Sequence, residues 1–204
     1  MFFSKRKSHE VPPKVVVAGQ PLETVNEVKY LGIILDSQLN FKKQTKKVLN
    51  RAKFNLANFR FIRGNLTTEA ALMFINAMIF SHMSYCLTSW DQAGKTVLDP
   101  IERLYKQSLK VLDKKPKSYH HCGFLTKFQL LSWENLMKYA DIVLVYKIFQ
   151  GLPPPPLREL VKINPNPITR AGGKGDCPIP LRISASGQSA FSYRASHTWN
   201  NVPP

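Results

Sequence analysis

A chain of 204 residues with 44% hydrophobic and 11% aromatic content can bury one sizeable core or two small ones, which excludes disorder throughout. Lys and Arg number 29 against 13 for Asp and Glu, a net charge of +16 that favours polyanionic partners, nucleic acid before an acidic membrane surface. The cysteines, Cys86, Cys122 and Cys177, are odd in number and widely spaced, which argues against a disulfide framework and fits a reducing compartment.

The opening "MFFSKRKSHEVPPK" has no long apolar segment after its charges and does not read as a secretory signal. The apolar run "ALMFINAMIF" is broken by Asn76 and followed by Ser81 and His82, short of the ~18 uninterrupted residues of a membrane span. The expectation is an intracellular protein, nuclear or cytoplasmic, with no membrane partner.

Residues 1–38 read as a short β-hairpin. Val15 to Val17 form an apolar run before the turn signal Gly19-Gln20-Pro21, and a second strand, Val28 to Leu35, follows with Gly32 disturbing its period like a bulge. Asp36 is placed as a turn or cap residue for the helix that follows. From Leu39 the period becomes helical, with Phe41, Thr45, Val48, Ala52, Leu56 and Phe59 on one inward face. Lys42, Lys43, Lys46, Lys47, Lys53 and Arg60 fall mostly outside that stripe, and Arg63 follows it. No acid occurs between Asp36 and Glu69, so the face is of one sign and repels itself unless something anionic approaches.

Thr67 caps an apolar core helix, "EAALMFINAMIFSHMSYCLTSW", bent near Ser81. Asp99-Pro100 opens another helix with Ile101, Leu104, Tyr105, Ser108 and Leu112 inward. After the linker "DKKPKSYHHCG", Ser132 caps a last long helix from Trp133 to about Gln150, with Leu136, Ala140, Val143 and Ile148 inward and Gly151 as its stop. The prolines of "GLPPPPL" favour a stiff polyproline spacer, and the Gly-, Pro- and Ser-rich remainder reads as an irregular tail. The fold class is α+β, mostly α: a β-hairpin over 1–38, a helical domain over 39–152, and an irregular tail over 153–204.

No aspartate is adjacent to another, and local geometry brings no two together as paired-metal catalysis requires. His120, His121 and Cys122 are neighbours with no matching pair elsewhere, which argues against a zinc site and suits phosphate or sugar contact, or packing beneath Tyr119. "AGGKGD" lacks the spacing and the Ser or Thr of a phosphate-binding loop. Tyr30, Phe54 and Phe61 could stack on bases or sugars beside the lysines, whereas Phe59 continues the core stripe. Trp90, Trp133 and Trp199 read as packing anchors.

Several short motifs in order carry a likeness: "VKYLGIILDSQLNF", "SYCLTSW", "LYKQSLKVLDKKPKSYHH", "SWENLMKYADIVLVYKIFQGLPPPPL" and "AFSYRASHTWNNVPP". Together they resemble the C-terminal part of non-LTR (LINE-type) retrotransposon reverse transcriptases, through nearly the whole chain. The resemblance implies a palm-closing hairpin whose Tyr30, Leu31 and Gly32 match the element that seats the primer end. It also implies a helical thumb gripping template–primer, an RNA–DNA hybrid or other duplex. Family polymerases hold Mg with a palm Asp and an Asp-Asp pair. This chain has no such pair, so the expected partners are nucleic acid and the palm and fingers of a complete enzyme. The chain alone is expected to bind without turnover and without a cofactor, at Tyr30, Gly32, Lys42, Lys43, Lys46, Lys47, Lys53, Arg60 and Arg63. The phosphate contacts of the lysines rest on the charge argument, not on the likeness. The competing expectation is a transposon-derived remnant without a role or a helical protein-interaction module, which would not require an unmixed basic face.

Overall fold

The computed structural model describes residues 1, 3, 15–162 and 176–202. It forms two compact units, one of Met1–Cys86 with Ala93–Tyr119 and the other of Leu87–Gln92 with His120–Pro204. The fold is α+β and mostly α, as its periodicity predicts. The segment "AGGKGD", read as a loop without the pattern of a phosphate-binding site, falls, up to Gly175, outside the described residues, as does most of the opening basic segment.

The first unit begins with two antiparallel hairpins rather than one: β1 (Val16–Val17) with β2 (Gln20–Pro21), and β3 (Glu27–Tyr30) with β4 (Ile33–Asp36). The strand expected over Val28 to Leu35 is the second hairpin. Tyr30 pairs with Ile33, and Leu31 (φ 44°) and Gly32 (φ 85°) form the turn between them. Positive φ at both central positions is the turn geometry whose twist matches the flanking strands. Gly32 is therefore a turn residue and not a bulge.

Asp36 converts strand into helix. Its Oδ1 accepts the backbone N–H groups of Gln38 (3.1 Å) and Asn40 (3.0 Å), and its Oδ2 accepts that of Phe41 (2.7 Å). The same segment holds Leu39 and Phe41 in the left-handed region, at φ 52° and 55°. Such conformations persist only where the surroundings fix them. Helix α1 (Lys42–Ile62) follows and buries Phe41, Thr45, Val48, Ala52, Leu56 and Phe59, the face its period predicts. Gln44, also buried, accepts the Ile34 N–H at 3.0 Å and joins α1 to β4.

Thr67 caps α2 (Thr68–Ile75) by accepting the Ala70 N–H at 3.3 Å. A π turn, Asn76–Phe80, then loosens the backbone ladder before α3 (Ser81–Ser84), and the buried Asn55 amide donates to the Met78 carbonyl there. The expected continuous apolar helix ends early. Tyr85 is extended and Cys86 has φ 49°, so α4 (Leu87–Trp90) is a separate turn in the second unit. The run Thr68–Trp90 is nonetheless long and apolar enough to cross a membrane by length and composition, contrary to the reading from uninterrupted runs. In the fold, 33% of its most apolar window is buried against other elements.

Helix α5 (Lys95–Leu112) buries Ile101, Leu104, Tyr105, Ser108 and Leu112 as expected. It starts before Pro100, however, which lies in its second turn. Gly94 takes the position expected of Asp99, with its carbonyl accepting the Val97 and Leu98 N–H groups. Phe59 stacks on Phe74 at 5.2 Å, and Phe80 meets Tyr105 at 4.6 Å, closing the core between α1, α2, the π turn and α5.

In the second unit, α6 (Cys122–Lys127) precedes α7 (Trp133–Phe149), whose cap Ser132 accepts the Asn135 N–H at 3.2 Å. The buried residues of α7 are Trp133, Asp141, Val145 and Ile148, so its inner face is turned from the one expected, and Leu136, Ala140 and Val143 are half-buried. Within the proline run, Pro155–Arg158 make a helical turn, α8. The expected irregular tail is irregular over 176–183 but then forms α9 (Ala185–Gln188) and α10 (Phe191–Asn200). Helix α10 packs on α7 through Ala195 and Trp199, with Trp199 edge-on to Phe149 at 5.1 Å, and Asn200 exchanges hydrogen bonds with the Cys177 backbone. Trp90 and Trp133 are buried 6.5 Å apart, which fits their reading as anchors.

Asp36→Ala removes an acceptor of three backbone donors and is expected to lower the stability of the first unit by about 1–3 kcal/mol. Denaturant unfolding checks this, with Asp36→Asn retaining part of the loss; an unchanged midpoint for Asp36→Ala would show that the junction does not need the carboxylate.

Candidate nucleic-acid interface

Residues 42, 46, 53 and 60 fall within about 40° of one another around α1 at 3.6 residues per turn. Lys42, Lys46, Lys53 and Arg60 thus form a single exposed stripe. Lys46, Lys53 and Arg60 succeed one another at about 10.5 Å along the axis. Among the described residues none of these four side chains makes a hydrogen bond or ion pair. Lys42 also stands at the helix N-terminus, where the dipole disfavours a cation, and no acid occupies the first turn.

The other predicted lysines are employed differently. Lys43 is paired with Glu27 of β3, and the Lys47 ammonium donates to the Gly32 carbonyl. Both contacts fasten the β3–β4 hairpin to α1. The Tyr85 hydroxyl, at the end of α3, ties the hairpin to that helix by donating to the Leu31 carbonyl at 2.9 Å. Gly32 and Leu31 are therefore held by their own carbonyls, while Tyr30 stays 64% exposed at the hairpin tip. Arg63 is not available to a ligand. It is buried, and its guanidinium donates to the carbonyls of Leu112 (2.7 Å) and Leu66 (3.0 Å), tying the end of α5 to the end of α1. The structure thus brings Lys42, Lys46, Lys53 and Arg60 together as one free cationic ridge, sets Lys43, Lys47, Gly32 and Tyr30 at a hairpin docked on the same helix, and removes Arg63.

Phe59 is fully buried, whereas Phe54 (61% exposed) and Phe61 (85%) protrude from α1 on the side of Lys43 and Lys47. His82, which lines the same cavity as Phe54, has its pKa lowered by burial and then by the Arg51 charge, both of which disfavour its charged form. His120, His121 and Cys122 place their candidate ligand atoms within 4.8 Å of one another, exposed or half-buried. Among the described residues no further histidine, cysteine or carboxylate joins them.

Sequence reasoning missed one polar cluster. In the second unit Arg194 of α10 makes a bidentate pair with Asp141 of α7, Nε to Oδ2 at 2.6 Å and Nη2 to Oδ1 at 3.1 Å. It also donates to the carbonyls of Ser189 (3.0 Å) and Thr88 (3.4 Å). Nη2 lies 2.7 Å from Asp91 Oδ1, an ion-pair distance without donor alignment, and both Asp91 oxygens are buried without a hydrogen bond. Asp91 and Asp141, far apart in sequence, converge here through tertiary packing, which local geometry in the sequence does not show. They surround a guanidinium, though, and do not suit a divalent cation. The available signal was an aspartate on an apolar face of α7, between Ala140 and Val143.

No family model, curated protein or solved structure matches the chain.

Burial, outweighing the nearby Arg194, raises the Asp91 pKa from 3.8 to about 7. Between those values the folded state holds the proton more tightly than the unfolded state, so this group's contribution to stability falls as pH rises from about 4 to about 7. The difference in unfolding free energy between the native chain and Asp91→Asn is expected to drop across that window, by at most ~4 kcal/mol at ~1.4 kcal/mol per unit. Denaturant titrations at several pH values read it, and a pH-independent difference would show that Asp91 stays ionised. Arg194→Met leaves the buried Asp141 without its bidentate partner and Asp91 without its neighbouring cation, and is expected to cost about 3–5 kcal/mol in denaturant unfolding.

Proposed function

We propose that the chain is the palm-end and thumb portion of a reverse transcriptase of the non-LTR retrotransposon type, and that it grips template–primer duplex by its phosphates. The observation that carries this reading is the ridge of Lys42, Lys46, Lys53 and Arg60, exposed and free of acidic partners among the described residues. Lys42 and Lys46 are four residues apart on a helix, where like charges cost about 0.2–0.5 kcal/mol. A polyanion reverses the sign of that term and gains further from counterion release. The hairpin tip of Tyr30, Leu31 and Gly32 is fastened beside the ridge by Lys43, Lys47 and Tyr85, which suits the seating of a strand end. Catalysis is not assigned to this chain. Its converging aspartates hold Arg194, and on this reading Mg would be held by the remainder of a complete polymerase.

Replacing Lys42, Lys46, Lys53 and Arg60 by alanine is expected to weaken binding to a short RNA–DNA hybrid alike for all sequences. The slope of log affinity against log salt should flatten by up to ~0.9 for each phosphate that is no longer neutralised. Lys43→Ala with Lys47→Ala should instead loosen the hairpin and change the slope little. Fluorescence anisotropy over a salt series, with circular dichroism to confirm folding, separates the two. Equal slopes for the native chain and the four-residue variant would contradict the reading.

A further inference from the structure

The first unit contains a cavity of about 810 Å³ that the duplex ridge does not use, lined among others by Gly32, Lys47, Arg51, Phe54, His82 and Tyr85. Its volume falls in the range of small-molecule sites. The lining carries two cations and no carboxylate. Lys47 is already spent on the Gly32 carbonyl. Arg51 is exposed and makes no hydrogen bond or ion pair among the described residues, which leaves its planar fork of donors for an incoming anion. Beside it, burial and the Arg51 charge lower the His82 pKa, which disfavours a further cation there.

Two aromatic rings complete the wall. Phe54 is 61% exposed and stacks on no other ring among the described residues. This largely exposed phenyl lies one turn from Arg51, on a helix whose opposite face fills the core. Tyr85 is fixed at its hydroxyl by the Leu31 carbonyl, with its ring 3.6 Å from the place a side chain on Gly32 would occupy. The pocket thus pairs a free guanidinium with one immobilised ring and one open ring.

We propose that this pocket binds a single nucleotide unit, a planar base joined to a phosphate, with Arg51 taking the phosphate and Phe54 and Tyr85 the base. The ring faces favour any base, since stacking is tolerant of sequence. The site stands on residues other than the ridge, so either proposal can fail alone. A free nucleoside monophosphate and the phosphorylated end of a single strand offer the same chemistry, and the test separates them.

The full chain is titrated by calorimetry with adenosine 5′-monophosphate, adenosine, inorganic phosphate and a 5′-phosphorylated deoxyadenosine hexamer. The monophosphate should bind at least about tenfold tighter than adenosine or phosphate alone. Arg51→Ala and Phe54→Ala should each weaken it about tenfold or more, Phe54→Trp should restore it, and Lys46→Ala with Lys53→Ala and Arg60→Ala should leave it unchanged. Both tested positions are exposed, and circular dichroism confirms that the variants fold. A hexamer whose affinity follows Phe54→Ala identifies a strand end as one source; a hexamer indifferent to it restricts the pocket to the free nucleotide. A monophosphate that binds no tighter than phosphate, or that ignores Phe54→Ala, or that weakens in the ridge variant, overturns the proposal.

Discussion

The position of the Asp36 carboxylate decides where α1 begins, and the basic face depends on that start. Each residue added or removed before the helix would turn its side chains by about 100°. Removing one would turn the lysine ridge toward the core, and either change would turn the apolar stripe toward solvent. Asp36 prevents this by accepting from Gln38, Asn40 and Phe41 at once, while Phe41 is buried and Gln44 holds the Ile34 N–H. It also supplies the negative charge that the first turn of α1 lacks. A helix opening with Lys42 and Lys43 is poorly matched to its own dipole, and the adjoining carboxylate partly offsets that mismatch.

Arg194 has the equivalent place in the second unit. One guanidinium reaches Asp141 on α7, the Thr88 carbonyl on α4, and Asp91 just beyond α4. The segment Leu87–Gln92 belongs to this unit rather than to the one that precedes it in sequence, and these contacts supply a reason. A buried ion cluster contributes little net stability compared with a well-packed apolar replacement, yet removing one member is costly. What it supplies here is a specified arrangement of α4, α7 and α10. Asp91, left without hydrogen bonds, is its weakest member, and burial pushes its carboxyl up to about 7.

Much of the helical fold was legible because the signals are local. The inward faces of α1 and α5, and the caps Thr67 and Ser132, follow from periodicity and from short polar side chains preceding apolar runs. The differences trace to interactions between residues far apart in sequence. The end of α3 reflects Tyr85 reaching Leu31, 54 residues away. Arg63 reads as one more cation of a basic run until the Leu112 carbonyl, 49 residues on, claims it. The rotation of the α7 face answers to Arg194, 53 residues beyond Asp141. Gly32 was visible as an interruption but its turn was not, because a bulge and a two-residue hairpin leave the same mark on alternation. Pro100 misled by pointing to a helix start that Gly94 had already provided.

The lysines of α1 fall into two functional groups by geometry alone. Lys43 and Lys47 spend their charge inside the molecule, fastening a hairpin, while Lys42, Lys46, Lys53 and Arg60 leave theirs in solvent. The account therefore stands or falls on whether that free set meets a polyanion. The most direct measurement is lysine acylation read residue by residue by mass spectrometry, with and without a short RNA–DNA hybrid. The account predicts that Lys42, Lys46 and Lys53 lose reactivity when the hybrid is present, while Lys43 and Lys47 change little. Uniform protection of all the lysines, or protection of Lys43 and Lys47 alone, would contradict it.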